Sequence, residues 1–309
     1  MTTPLQINKA YSLGLFMKGQ RSMIWRTSLG ILMVIGLMLS FSCSSGQEGY
    51  SQDSQEMKPF PLVETGDQVI SPPAGVHPFY QKYINAGGIV IVSSPKVPDA
   101  ALVTARETVL FLLSLRPDMH QAMLKNKPRI AIMAISETAA DLPEFGTENE
   151  GEWGLGQMPG DPTSLVSEKG ICYPGNPAYR ANFLVHEFVH MLHNLAMPDI
   201  EPAMVDEIYA AYRIAVTEGR FPAPQDEPLQ GITPFDAYGD DEYFTHAVNA
   251  WYDLNETLPG PWMDVKIGEQ GPRSGTRTEL QQEDPTICAI IERLLPEDAR
   301  QVFKDCRSR

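Results

Sequence analysis

The segment Asn182-Phe-Leu-Val-His-Glu-Phe-Val-His-Met-Leu-His193 carries the residues best suited to chemistry in this chain. His186 and His190 lie four positions apart, and Glu187 directly follows the first of them. On a helix both imidazoles emerge one turn apart on one face and can reach a single cation. Glu187 then stands beside a water held at that cation, placed to take its proton. That is the physical reason the HExxH spacing points to zinc-assisted hydrolysis, with one zinc per chain. Two His and one Glu at fixed positions arise by chance in roughly one chain in a hundred of this length. Chance does not also centre them in a helix with an apolar stripe.

A catalytic zinc needs a third protein ligand and one open position. His193 shares the helix, where three ligands would make a poor tetrahedron, so it reads as a supporting or packing residue. Asp206 and Glu207, on the next helical segment, are one choice for the third ligand. Glu242 is the preferred one. In Asp241-Glu-Tyr-Phe-Thr-His-Ala-Val-Asn-Ala-Trp-Tyr252, Phe244, Val248, Trp251 and Tyr252 form an apolar face, while Glu242, His246 and Asn249 recur on another. A polar stripe on a core-bound helix suggests a site beneath it.

The elements that must position these residues indicate an α+β fold with a small mixed sheet and a mainly helical C-terminal half. Asn176 as N-cap and Pro177 as first residue predict a helix over 177–196, with Leu184, Phe188, Leu192 and Leu195 facing the core and Pro198 stopping it. The β-branched run Gly88–Ser93 and Arg129–Ile135 predict strands, separated by a helix over Ala100–Leu115. Residues 136–172, rich in Gly, Pro, Asp and Glu, read as long loops. Further helices are expected over 203–218, 241–253, 286–293 and 296–304.

The chain has 309 residues, 43% of them hydrophobic, enough for a packed core. Its formal charge is −15. Residues 1–42 hold four basic residues and no acidic ones; without them, 20 Lys and Arg face 39 Asp and Glu, a net of −19. Such an acidic body repels phosphate backbones, which argues against nucleic acid as a partner. The basic stretch Lys18, Arg21, Arg26, the apolar run Leu29–Leu39 and then Ser-Phe-Ser-Cys43 read as an export signal ending at a lipoprotein-type cysteine. This predicts a signal over 1–43, a flexible linker over 44–75 and a catalytic domain over 76–309. The domain would be held outside a bacterial cytoplasmic membrane by a lipid on Cys43, on the periplasmic or surface side. Retention of Leu29–Leu39 as a membrane anchor is the other reading. Among the exported cysteines, Cys288 and Cys306 flank a helical pair and could form a disulfide, leaving Cys172 unpaired; sequence alone leaves the connectivity open.

The run from Cys172 through His186-Glu-Phe-Val-His190 to Asn194, with Glu242-Tyr-Phe further on, resembles a group of bacterial and fungal secreted proteins. Their zincin domain is similar to the catalytic domain of anthrax lethal factor. The likeness extends loosely over most of residues 77–305. It implies a zincin-like metallopeptidase fold with His186, His190 and Glu242 as ligands, Glu187 as general base and a peptide or protein as substrate. It also implies a tyrosine stabilising the oxyanion. Tyr238 matches in kind, with fewer residues before Glu242 than in lethal factor. Relatives carry Ala-Glu after the Glu-Tyr-Phe, where this chain has Thr245-His246. His246 could bond a ligand, donate to the oxyanion or mark lost activity. The last of these motivates an alternative function: a zinc-holding surface lipoprotein that acts as a binding or structural module.

Overall fold

The computed structural model describes residues 61–144, 153–154, 159–179, 182–221, 239–254, 275–299, 302–303 and 306. All lie in one compact unit spanning Glu56–Arg309. The signal segment and Cys43 fall outside the described residues, and among those described no helix is long and apolar enough to cross a membrane.

The class is α+β. Five strands, β1 (Lys82–Ala86), β2 (Ile89–Ser93), β3 (Arg129–Met133), β4 (Trp153–Gly154) and β5 (Thr163–Ser167), form one sheet in the order β1-β2-β3-β5-β4. The sheet is mixed: β2, β3 and β5 run parallel, while β1 and β4 pair antiparallel at the two edges. Both faces are covered. Ile84, Ile91, Ile130, Ile132 and Val166 pack toward the helices. Tyr83, Val90, Val92, Ala131, Met133 and Leu165 pack into a second cluster under Tyr80, Ala139 and Leu142. Burial on both faces is why β2 and β3 read as continuous apolar runs and not as alternation.

Residues 61–75, expected as the end of a tether, belong to this second layer. Ile70 bridges to Tyr83, Asn85 Nδ2 donates to the Val63 carbonyl at 3.1 Å, and Val76 packs beside them. The expected loop 136–172 contains β5, which sits inside the sheet. Its sequence, Thr-Ser-Leu-Val-Ser, is polar enough to pass for a loop; pairing with β3 along its length and with β4 at Leu165 and Val166 lets it sit fully buried. β1 was also not anticipated.

Helix α1 (Asp99–Leu112) covers β1 and β2, and α2 (Pro117–Leu124) follows it. The HExxH helix is α3 (Phe183–Leu195), and the short α4 (Met197–Ile200) and long α5 (Pro202–Thr217) come next. Last come α6 (Gly239–Trp251), α7 (Arg277–Glu283) and α8 (Pro285–Leu294). Of the stretch 296–304, the described residues form bends and turns, not the expected helix.

Helix α3 starts six residues later than the spacing predicts. Asn182, not Asn176, is its cap, accepting from Val185 N at 3.0 Å. Asn176 is fully buried and stitches the preceding loop, donating to the carbonyls of Glu168 and Ile171 and accepting from Ala178 N. Asn suits either task, and only packing chooses between them. The disulfide also differs from the anticipated pair. Cys172 bonds Cys306, 134 positions away, and Cys288 is buried and free. This tie joins the loop before α3 to the chain's end, where Asn182 Nδ2 lies 4.0 Å from Cys306 Sγ.

Candidate metal centre

Helix α3 lies between β5 and α6, with Leu184, Phe188, Leu192 and Leu195 all buried as the apolar stripe requires. Phe244, Val248 and Trp251 on α6, and Tyr252 just past it, are likewise buried. With the apolar faces committed to the core, the polar faces of α3 and α6 meet each other.

The Nε2 atoms of His186 and His190 are 3.1 Å apart. Glu242 brings Oε2 to 3.4 Å from His186 Nε2 and Oε1 to 3.6 Å from His190 Nε2. Donors about 2.0–2.1 Å from a tetrahedrally held zinc lie about 3.3 Å from one another. The three separations lie close to that value, with Glu242 turning one oxygen to each imidazole, so these side chains converge at the spacing metal donors take. His186, Glu242 and His246 also offer donor atoms within 4.8 Å of one another, a group able to hold a metal ion. Of the proposed ligands, two come from α3 and one from α6, and His246 adds a further nitrogen from α6. Asp206 and Glu207 take no part here; Glu207 pairs with Arg293 on the surface.

Electrostatics keep Glu242 ionised and His246 neutral, the forms a cation needs. Burial pushes the Glu242 carboxyl up, but His186, His190 and His246 outweigh it and lower its pKa to about 2. Burial and the neighbouring His186 pull His246 down to about 4 despite Glu242, so its imidazole is neutral at pH 7. Glu187 is buried, and its charge is felt at His190.

Asp241 was not anticipated as a site residue. Its Oδ2 lies 2.9 Å from His190 Nδ1 and accepts from Asn194 Nδ2 at 3.0 Å. A carboxylate behind a ligating histidine fixes the ring's tautomer and aims Nε2 at the ion. His193 Nδ1 also comes within 3.0 Å of Asp241 Oδ1. The only sequence signal was the pair of acids ahead of Glu242. Three acids in the first turn of α6 also suit the positive end of its dipole, so composition cannot say which of them serves the site.

The first turn of α6 is held from two further sides. A Cβ on Gly239 would fall 1.9 Å from the Tyr212 hydroxyl, so α5 presses directly on that turn and any side chain there would have to displace the Tyr212 ring. Tyr243 donates to Asp284 at 2.6 Å, and the same carboxylate pairs with Arg220 and caps α8. These contacts set where Asp241 and Glu242 sit.

Burial lowers the His190 pKa, but Asp241, Glu242 and Glu187 more than reverse this and raise it to about 9. In metal-free protein that protonated ring therefore stabilises the fold fully below its unfolded value near 6.5, and the benefit fades as pH rises through about 9. Zinc requires the ring neutral, so zinc affinity is expected to climb with pH up to about 9. Asp241→Asn is expected to weaken zinc by about 10–100-fold and to end that climb at lower pH. Competition titrations with a chelator across pH test both. Identical curves for the two proteins would remove Asp241 from the site.

Tyr238 lies outside the described residues. Searches against protein-family models, curated proteins and solved structures give no match to the chain.

Proposed function

We propose that this protein is a zinc-dependent peptidase with a zincin-like fold, exported and held at the bacterial envelope by a lipid on Cys43. The observation that carries the reading is the convergence of His186, His190 and Glu242, whose facing atoms lie 3.1–3.6 Å apart, with the Glu187 charge felt at His190. A zinc ion there supplies Lewis acidity to a carbonyl and lowers the pKa of a water toward neutrality. His186, His190 and Glu242 hold it, and Asp241 keeps His190 aligned. Glu187, one position along α3 from the first ligand, accepts the proton of the attacking water and returns it to the leaving amine. Tyr238 and His246 are the proposed donors to the oxyanion. The Cys172–Cys306 bond suits an oxidising compartment outside the cytoplasm.

The extra nitrogen of His246 favours one other reading, a zinc-holding binding or structural module without turnover. Metal analysis of the purified full chain, together with cleavage of casein and quenched peptides, separates the two. We expect about one zinc per chain, chelator-sensitive cleavage, and loss of most zinc in Glu242→Ala. Unchanged zinc in that variant rejects Glu242 as ligand. Full zinc with no cleavage across broad peptide libraries supports the module.

A further inference from the structure

His246 stands one turn beyond Glu242 on α6, and its Nε2 is 3.8 Å from Glu242 Oε2. Its ring meets that of His186 edge-on, with centroids 5.3 Å apart. Phe221, just past α5, is tilted against His246 at 6.1 Å, and its edge-on contact with Tyr243 at 5.3 Å ties it to α6. The imidazole thus touches both an apolar ring and the donor cluster, with its Nε2 near Glu242.

Three donors already sit 3.1–3.6 Å apart. His246 exceeds the roughly 3.3 Å edge of a tetrahedron by about half an ångström on the Glu242 side. Its 3.8 Å to Glu242 is longer than the 3.4 and 3.6 Å by which His186 and His190 approach the same carboxylate. We propose that His246 is a displaceable fourth ligand: it closes the site at rest and yields its position to an incoming oxygen ligand. This rests on the zinc-site reading above. Three imidazoles and one carboxylate complete a tetrahedral shell of the kind structural sites have, whereas a catalytic site needs one place open. The most loosely placed donor is the one that gives way. Once displaced, the ring stays beside the cluster with its Nε2 lone pair free. Only a coordination bond is exchanged, so no proton or electron need be supplied from elsewhere.

X-ray absorption of the zinc-loaded full chain counts imidazoles directly. Three are expected in the wild type and two in His246→Phe, which keeps the ring volume. Acetohydroxamate, followed through the visible spectrum of the cobalt-substituted proteins, is expected to bind the variant more tightly. The gain is about tenfold if the closed form is favoured about ten to one. Two imidazoles in the wild type overturns the fourth-ligand role and leaves the zinc site standing; this result does not depend on the variant folding. Equal hydroxamate affinity in the two cobalt proteins overturns displacement. No bound zinc in the wild type overturns the zinc-site reading and this inference together.

Discussion

Glu187→Gln is expected to lower peptide cleavage by about 10²–10⁴-fold while leaving zinc content unchanged. Gln matches Glu in shape, so α3 should keep its packing and both imidazoles their aim. Its neutral amide cannot accept a proton from the attacking water, which is the one task assigned to this side chain. Glu187 is buried beside His190, on a face of α3 that the apolar stripe does not use. A general base should depress kcat more than it changes KM, because the proton moves on the way to the transition state. Measuring kcat, KM and zinc on the same preparation separates this from collapse of the site. Wild-type kcat in a zinc-replete variant would end the hydrolytic mechanism proposed here.

Breaking the Cys172–Cys306 bond is expected to produce the largest loss of stability from a single change. It closes a loop of 134 positions, and the chain-entropy model gives about 4–5 kcal/mol for a loop that long. In a domain of this size that corresponds to roughly 8–20 °C in Tm. Cys306→Ser should show it by calorimetry. Zinc affinity should fall as well, since Cys172 anchors the loop leading to the Asn182 cap and Cys306 lies against Asn182 itself. Peptide mapping without reductant should recover the 172–306 pair. Cys288 should label only after denaturation, because burial raises its thiol pKa to about 11 and hides it. Recovery of a 288–306 pair would overturn this connectivity.

Much of the candidate site was legible because helical spacing is a local property. His186 and His190 share a face of α3 whatever surrounds them, and the stripe Leu184, Phe188, Leu192, Leu195 indicates which side is buried. The same holds for Glu242 and His246 on α6. Strands β2 and β3 were visible as β-branched runs, whereas β5, mostly Thr and Ser, was hidden because its place in the sheet comes from pairing with strands distant in sequence.

By itself the sequence determined the α+β class, the HExxH helix and its inward face, and the polar stripe carrying Glu242. Each depends on residues within a few turns of one another. Tertiary structure alone decided that α3 meets α6 so that the imidazoles and Glu242 converge. It also chose Asp241 as the carboxylate behind His190, Cys172 as the partner of Cys306, and Asn182 over Asn176 as the cap. Each of those choices lies among chemically equivalent candidates: one acid or another, one cysteine or another, one asparagine or another. What separates them is distance across the core, and that is set by how the apolar faces pack.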